Sequence, residues 1–193
     1  MLPQAGLLVT ACWIVWAVVW AAGWLYNAVR GPRTRRAESQ WPFWVLVALA
    51  WWAFAHERGA AHPAMLGHGM WTAGAGAGIV VAGTLFTLWA RVVLGRMWSG
   101  APSVKEGHVL QTSGPYAVTR HPIYTGMLAM GLGTVLVSGR AWEGVLFGVF
   151  LVYVLFKIRT EERLMRETFG PQYMDYRRRV PQLVPGLRGT RVR

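Results

Sequence analysis

The sequence predicts an all-α integral membrane protein with about five transmembrane helices, and three observations carry that prediction. Apolar residues make up 54% of the 193-residue chain and charged residues only 15%, a membrane composition. The apolar residues are gathered into long uncharged runs, with twelve tryptophans scattered near their ends, where amphipathic rings suit a lipid–water boundary. The basic residues fall between the runs, and almost all of them on one side.

Leu7 to Val29 is 23 residues without a charge, long enough at ~1.5 Å rise per residue for a hydrocarbon core of ~30 Å. No basic segment precedes it, so it reads as a retained span and not a cleaved signal peptide. Cys12, the only cysteine, lies inside this run as a small apolar packing residue. It excludes an intrachain disulfide and a cysteine-based zinc site. Arg30 to Gln40 is a short basic loop, Trp41 to Ala55 the second run, and Glu57 to Met70 an outer loop. His56, His62 and His68 recur every six residues, which scatters them around a helix, so loop histidines and no metal site are expected.

Trp71 to about Leu94 is the third span. Its Ala73 to Gly78 segment, AGAGAG, superficially suggests a dinucleotide loop, but no strand precedes it and no acidic residue follows about twenty positions on. Gly74 and Gly78, four apart, are read instead as close helix packing. GRMWSGAPSVKEGHVLQTSGPYAVTRH comes next, with Gly, Pro and Ser spaced to forbid a long helix and to leave backbone groups open to a ligand. Ile123 to Ser138 and Gly144 to Phe156 are the fourth and fifth spans, joined by a tight turn over Gly139 to Glu143 and expected to form an antiparallel helical hairpin. At 15, 16 and 13 residues, spans two, four and five must recruit flanking residues or thin the bilayer. The fifth helix should continue to about Thr168, break at Gly170 and Pro171, and resume over Gln172 to Arg179. The whole chain, 1–193, is one membrane domain without an internal repeat, and 186–193 is a loose basic tail.

With an odd number of spans, 18 of the 20 Lys and Arg residues fall on one side, and only Arg58 and Arg140 lie opposite. The positive-inside rule then puts the N-terminus outside and the C-terminus in the cytoplasm of a multi-pass protein. The net charge of +12 is thus mainly a topology signal. Nucleic acid is not an expected partner, because the charges are split among loops and no recognition motif accompanies them.

The most informative stretch is Gly114 to Gly126, GPYAVTRHPIYTG. Pro122 suits the first turn of a helix, where its missing N–H is not needed. Arg120 and His121 then sit beside the positive end of a helix dipole, which is unfavourable unless something negative joins them. If that anion is a ligand's carboxylate, neutralising the two cations should slightly stabilise the empty protein. Paired acids, Glu161 and Glu162, follow the fifth run at the same membrane face. Ordinary i, i+4 pairs with Lys157 and Arg166 would explain them in isolation, but charges gathered at membrane depth tend to mark a site.

GHVLQTSGPYAVTRHPIYTG, followed by EERLMRETFGPQYMDYRRRVP, resembles the isoprenylcysteine carboxyl methyltransferase family and its phospholipid N-methyltransferase relatives. The resemblance covers about Arg91 to Pro185 and rests on RHPxY followed by EE and FGxxYxxY. It implies an S-adenosylmethionine-dependent membrane methyltransferase. Its cofactor pocket would be cytoplasmic, built from the loop before span four and the C-terminal helix. Residue by residue, His108, Val109, Leu110 and Gln111 would line the cofactor largely through backbone groups. Tyr116, His121, Pro122, Ile123 and Tyr124 would close around it. Glu161 would hold one of its polar groups, with Glu162 in a supporting role and Arg120 or His121 at its carboxylate.

Lys157 falls where the eukaryotic carboxyl methyltransferases tend to have an arginine near the acceptor, and Arg159 is the second basic candidate there. Lysine lacks the planar fork that suits a carboxylate, which counts against a prenylcysteine acceptor. The implied partners are membrane lipids and an amphiphilic acceptor: a prenylated cysteine, a phospholipid amine and a small thiol all remain open. The alternatives from other classes are a reductase-like or non-catalytic member of the superfamily and a structural membrane protein.

Overall fold

A computed structural model of the chain describes residues 2–30, 34–37, 45, 69–98, 103–105, 107 and 109–186. The second predicted span apart from Val45, together with His56, His62, His68, His108 and the tail from residue 187, lies outside the described residues. The described elements are α1 (Leu2–Arg30), β1 (Thr34–Ala37), α2 (Met70–Leu94), β2 (Ser103–Lys105), α3 (Pro115–Val118), α4 (Pro122–Ser138) and α5 (Ala141–Arg179). Among them three helices are long and apolar enough to cross a membrane, Gln4–Arg30, Met70–Met97 and Ala141–Arg179, while Pro122–Ser138 is a shorter apolar helix.

The helix ends follow local chemistry. Thr72 ties the start of α2 by exchanging hydrogen bonds with Gly69, and the Gly95 N–H closes its end on the Arg91 carbonyl. Pro122 opens α4 as expected, with His121 as its N-cap. The turn between α4 and α5 is tighter than the sequence suggests. Gly139 takes a left-handed conformation (φ 63°, ψ 11°) that a side chain would disfavour, and the next helix starts two residues later. In α5 the expected break is present: Gly170 has φ 48° and ψ −121°, and Pro171 starts the second segment where its missing N–H does no harm.

The inward stripe of α1 is Val9, which is buried, and Trp13, Trp16, Trp20, Gly23 and Asn27, which are half-buried, spaced alternately four and three apart, the 3.5-residue repeat of side-by-side helices. Val9 packs with Val80 of α2 and Met130 of α4. Further along, Trp20 meets Trp98, Asn27 donates to the Trp98 carbonyl, and Arg96 donates to the Arg30 carbonyl. Residue numbers rise together in these contacts, so α1 and α2 run parallel.

Among the described elements the α2–α4 contact is the most extensive, and it is antiparallel. Small residues let the two backbones touch: a Cβ on Gly133 would lie 2.5 Å from the Gly76 carbonyl oxygen, and one on Gly83 2.7 Å from that of Gly126. The sequence assigned this role to Gly74 and Gly78, and the structure corrects it. Both are exposed with nothing within 4 Å of a Cβ, and the close-packing glycines lie on the opposite stripe, Gly76 and Gly83. The spacing was informative and the phase was not, because a glycine-alanine run offers two equivalent faces.

Gly126→Ala would put its Cβ 1.8 Å from Thr87 Oγ1 and 2.6 Å from the Gly83 carbonyl oxygen. Overpacking of this kind costs about 1–3 kcal/mol. Thermal unfolding in detergent should therefore show Gly126→Ala well below the wild type and Gly78→Ala unchanged.

α5 folds back antiparallel on α4, with Phe147 against Gly131 and Val135 against Gly144. Beyond the helices, β1 and β2 form a short antiparallel ribbon, Thr34 opposite Lys105 and Ala37 opposite Ser103. It joins two segments that the sequence read as loops, because three or four residues are too few to show a strand period. The C-terminal ends of α1 and α2, the start of α4 and the second half of α5 thus gather at one end of the bundle.

Candidate functional site

At that end α5 presents two adjacent faces. Ile158 and Glu162, one turn apart, point into the molecule, and Lys157 and Glu161 point beside them. Glu162, with its side chain 5% exposed, is the hub. Arg120 Nε and Nη2 donate to its Oε1 at 3.0 and 2.7 Å, Gln182 Nε2 donates to the same atom at 3.1 Å, and Arg177 Nε lies 3.8 Å from Oε2. The remaining Arg120 nitrogen, Nη1, donates to the carbonyls of Arg177 and Val180.

The negative partner demanded by the charge before Pro122 is therefore Glu162 of the protein itself. All three nitrogens of the Arg120 guanidinium are thus engaged within the protein. The sequence could place the two clusters at one face but could not show that they meet.

Glu161 is held differently. The Tyr124 hydroxyl donates to Oε1 at 2.5 Å, and His121 Nδ1 lies 3.4 Å from Oε2. The Glu161 side chain stays 24% exposed and has lone pairs to spare. His121 Nε2 is 3.5 Å from Glu162 Oε1 without hydrogen-bond alignment, so this buried atom has no hydrogen-bond partner. Burial works against a charged imidazole, yet the Glu161 and Glu162 carboxylates outweigh it and hold His121 above its usual range. Its ring stacks on Tyr124 with centroids 5.9 Å apart.

Lys157 Nζ lies 5.8 Å from the centroid of the Tyr124 ring and 5.9 Å from that of Tyr153. Arg159 is not brought into the group: it is exposed on the other side of α5, with its guanidinium over the Phe156 ring. Tyr116 is buried, and burial together with the Glu161 carboxylate raises its phenol, so it stands as a neutral ring. Pro122 is buried and Ile123 half-buried at the start of α4. Val109 to Thr112 have no regular structure and make no backbone hydrogen bond among the described residues, so their amides and carbonyls are available to a ligand.

The sequence missed a strap. After α5 the chain returns across the start of α4: Arg120 N donates to the Pro181 carbonyl at 2.8 Å, His121 N to that of Gln182 at 3.2 Å, and Thr125 Oγ1 to that of Leu183 at 2.7 Å. Tyr176, on the second segment of α5, donates its hydroxyl to the Tyr116 carbonyl. The signal was available in VPQLVP, since residues before proline are pushed to extended backbone that can lie across a helix start.

Residues 71–172, which hold α2, α4, both acids and the break at Gly170, match the phospholipid methyltransferase family model. The chain belongs to that family. Among the relatives of this phospholipid methyltransferase family member are protein-S-isoprenylcysteine O-methyltransferase B of Arabidopsis thaliana, 31% identical over 60% of this chain and 60% of the relative. The protein-S-isoprenylcysteine O-methyltransferase of Mus musculus is 37% identical over 45% of this chain and 31% of the relative. The cobalt-zinc-cadmium resistance protein CzcN of Cupriavidus metallidurans is 34% identical over 64% of this chain and 57% of the relative. The family member described here spans less than two thirds of the length of these relatives, 31% to 60%.

Proposed function

We propose that the chain is an S-adenosylmethionine-dependent membrane methyltransferase acting on an amphiphilic, lipid-like acceptor at the cytoplasmic face. The observation that carries the reading is the Tyr124–Glu161–His121 group, an incompletely satisfied carboxylate beside aromatic faces, inside the region that matches the family. The donor set fits the cofactor's chemistry. Glu161 can accept from an ammonium or ribose hydroxyl, and Tyr116 and Tyr124 offer faces to cations. The unpaired backbone of Val109, Leu110 and Gln111 offers both donors and acceptors, and His121, Pro122 and Ile123 close the other side.

S-adenosylmethionine supplies an already activated methyl group. The protein is then required chiefly to position the acceptor. Arg120 and Glu162 form the strut that fixes His121 and Glu161, and Lys157 stands on the Glu161 side of α5, where the acceptor would approach. Arg159, turned away, is assigned to the membrane interface.

A five-span topology is supported by the parallel run of α1 and α2, which requires an odd number of crossings between them. Trp41 to Ala55 would supply that crossing. The fourth and fifth crossings would be α4 and the first half of α5, with the basic, site-bearing end in the cytoplasm and the N-terminus outside.

Calorimetry on detergent-purified protein tests the cofactor. S-adenosylhomocysteine should bind and NADPH should not. Binding of NADPH alone would favour a reductase-like member, and binding of neither a structural role.

A further inference from the structure

The end of α2 holds a charged group for which the proposed methyl-transfer site has no use. Arg91 is 7% exposed. Its Nη1 donates to the Gly95 carbonyl at 2.8 Å, and the guanidinium lies 4.5 Å from the centroid of the Trp98 ring. Its buried Nε has no acceptor, and no carboxylate of a described residue pairs with it. One neutral acceptor and one aromatic face do not offset the desolvation of a guanidinium, whose planar fork is suited to an oxyanion.

The surroundings make room for the group. On α1, Gly23 leaves space for the guanidinium: a Cβ there would fall 2.3 Å from Arg91 Nη2. One turn further on α1, Asn27 gives its Nδ2 to the Trp98 carbonyl and keeps a buried Oδ1 without a partner. Trp16 and Trp20 stack at 4.7 Å, and Trp20 meets Trp98 edge-on at 6.0 Å, which continues an aromatic wall along α1.

An interfacial anchor would extend its charge outward to water. Arg91 instead folds inward against α1, while its neighbours Trp89 and Val92 are the residues exposed on the outside. The place is also next to the methyl-transfer site. Gly114, two residues before Tyr116, sits against Val93 and Trp89, and the charge of Arg91 acts on the Tyr116 phenol.

We propose that Arg91, with Trp98, Trp20 and Asn27, binds the oxyanion, phosphate or carboxylate, of an amphiphile whose apolar chain lies along the tryptophan stripe of α1. The binding site stands independently of the proposed activity. That its occupant is the methyl acceptor rests on that activity.

Purified protein in a neutral detergent would be titrated with octyl phosphate, octanoate, octanol and inorganic phosphate, following thermal stability and tryptophan fluorescence. Octyl phosphate and octanoate should stabilise the protein and perturb its tryptophans, whereas octanol and inorganic phosphate at equal concentration should not. Arg91→Gln should weaken octyl phosphate about tenfold or more and raise the stability of the empty protein. Gly23→Leu, which crowds the guanidinium without removing its charge, should weaken it too, and decides the matter if Arg91→Gln does not fold.

Equal responses to octanol and octyl phosphate, or undiminished binding in both variants, would overturn the site. Equally tight inorganic phosphate would overturn its amphiphilic occupant. Octyl phosphate binding by a protein that ignores S-adenosylhomocysteine would sink the proposed activity and leave this site standing.

Discussion

Arg120→Ala is expected to destabilise the protein by about 3–5 kcal/mol, because it strands the Glu162 carboxylate in a site from which water is excluded. The Arg120 and Glu162 side chains are 7% and 5% exposed, and the same guanidinium also holds the carbonyls of Arg177 and Val180. The variant should therefore lose two things together. Its melting temperature should fall by roughly ten degrees, and trypsin should cut faster among Arg177, Arg178 and Arg179 as the strap comes loose. Replacing both partners, Arg120→Met with Glu162→Met, should recover much of the loss, since no uncompensated charge is left behind. A stable Arg120→Ala protein would mean that the pair is peripheral. Read without the structure, the charge before Pro122 suggested the opposite sign, a slight gain on neutralisation, because the anion was sought in a ligand and not in Glu162.

The second large effect concerns ligand response and not stability. Glu161→Gln should weaken S-adenosylhomocysteine by an order of magnitude or more, equivalent to ~1.4 kcal/mol or above, the range for a hydrogen bond to a charged group. Gln keeps the shape and can still accept from Tyr124, so the fold should survive. Glu162→Gln should show the reverse pattern, with lower thermal stability and a smaller change in intrinsic affinity once measured below its melting temperature. The contrast follows from partners: Glu162 is saturated by Arg120, Gln182 and Arg177, whereas Glu161 has one hydroxyl, one nearby imidazole and residual exposure. Matching effects of the two substitutions on binding and on stability would remove the distinction between ligand contact and strut.

How much of this was legible in the sequence depended on the range of the interaction. Pro122 opening a helix, Gly170 breaking one and Gly139 turning between two are local statements about φ and missing N–H groups, and the structure has all three. The grouping of Arg120, His121, Glu161 and Glu162 at one end followed from counting membrane runs. Their pairing did not, because whether a guanidinium meets a ligand or a neighbouring helix is decided by helix rotation, which apolar runs without a polar face leave unspecified. The same degeneracy put the packing glycines at Gly74 and Gly78 instead of Gly76 and Gly83. Arg91 and Gly23 are separated by most of the N-terminal half, and their apposition depends on α1 and α2 being parallel. The strap at Val180 to Leu183 bonds through backbone carbonyls, which carry no residue code at all.

The most direct measurement is methyl transfer itself. Membranes containing the wild-type protein, Glu161→Gln, or no added protein would be incubated with S-adenosylmethionine labelled in its methyl group, and the labelled products extracted and identified. A methyltransferase of the kind proposed places label in a lipid-phase product with the wild-type protein and loses most of it with Glu161→Gln. Label no higher than in membranes without the protein, or equal with and without the Glu161 carboxylate, would contradict it.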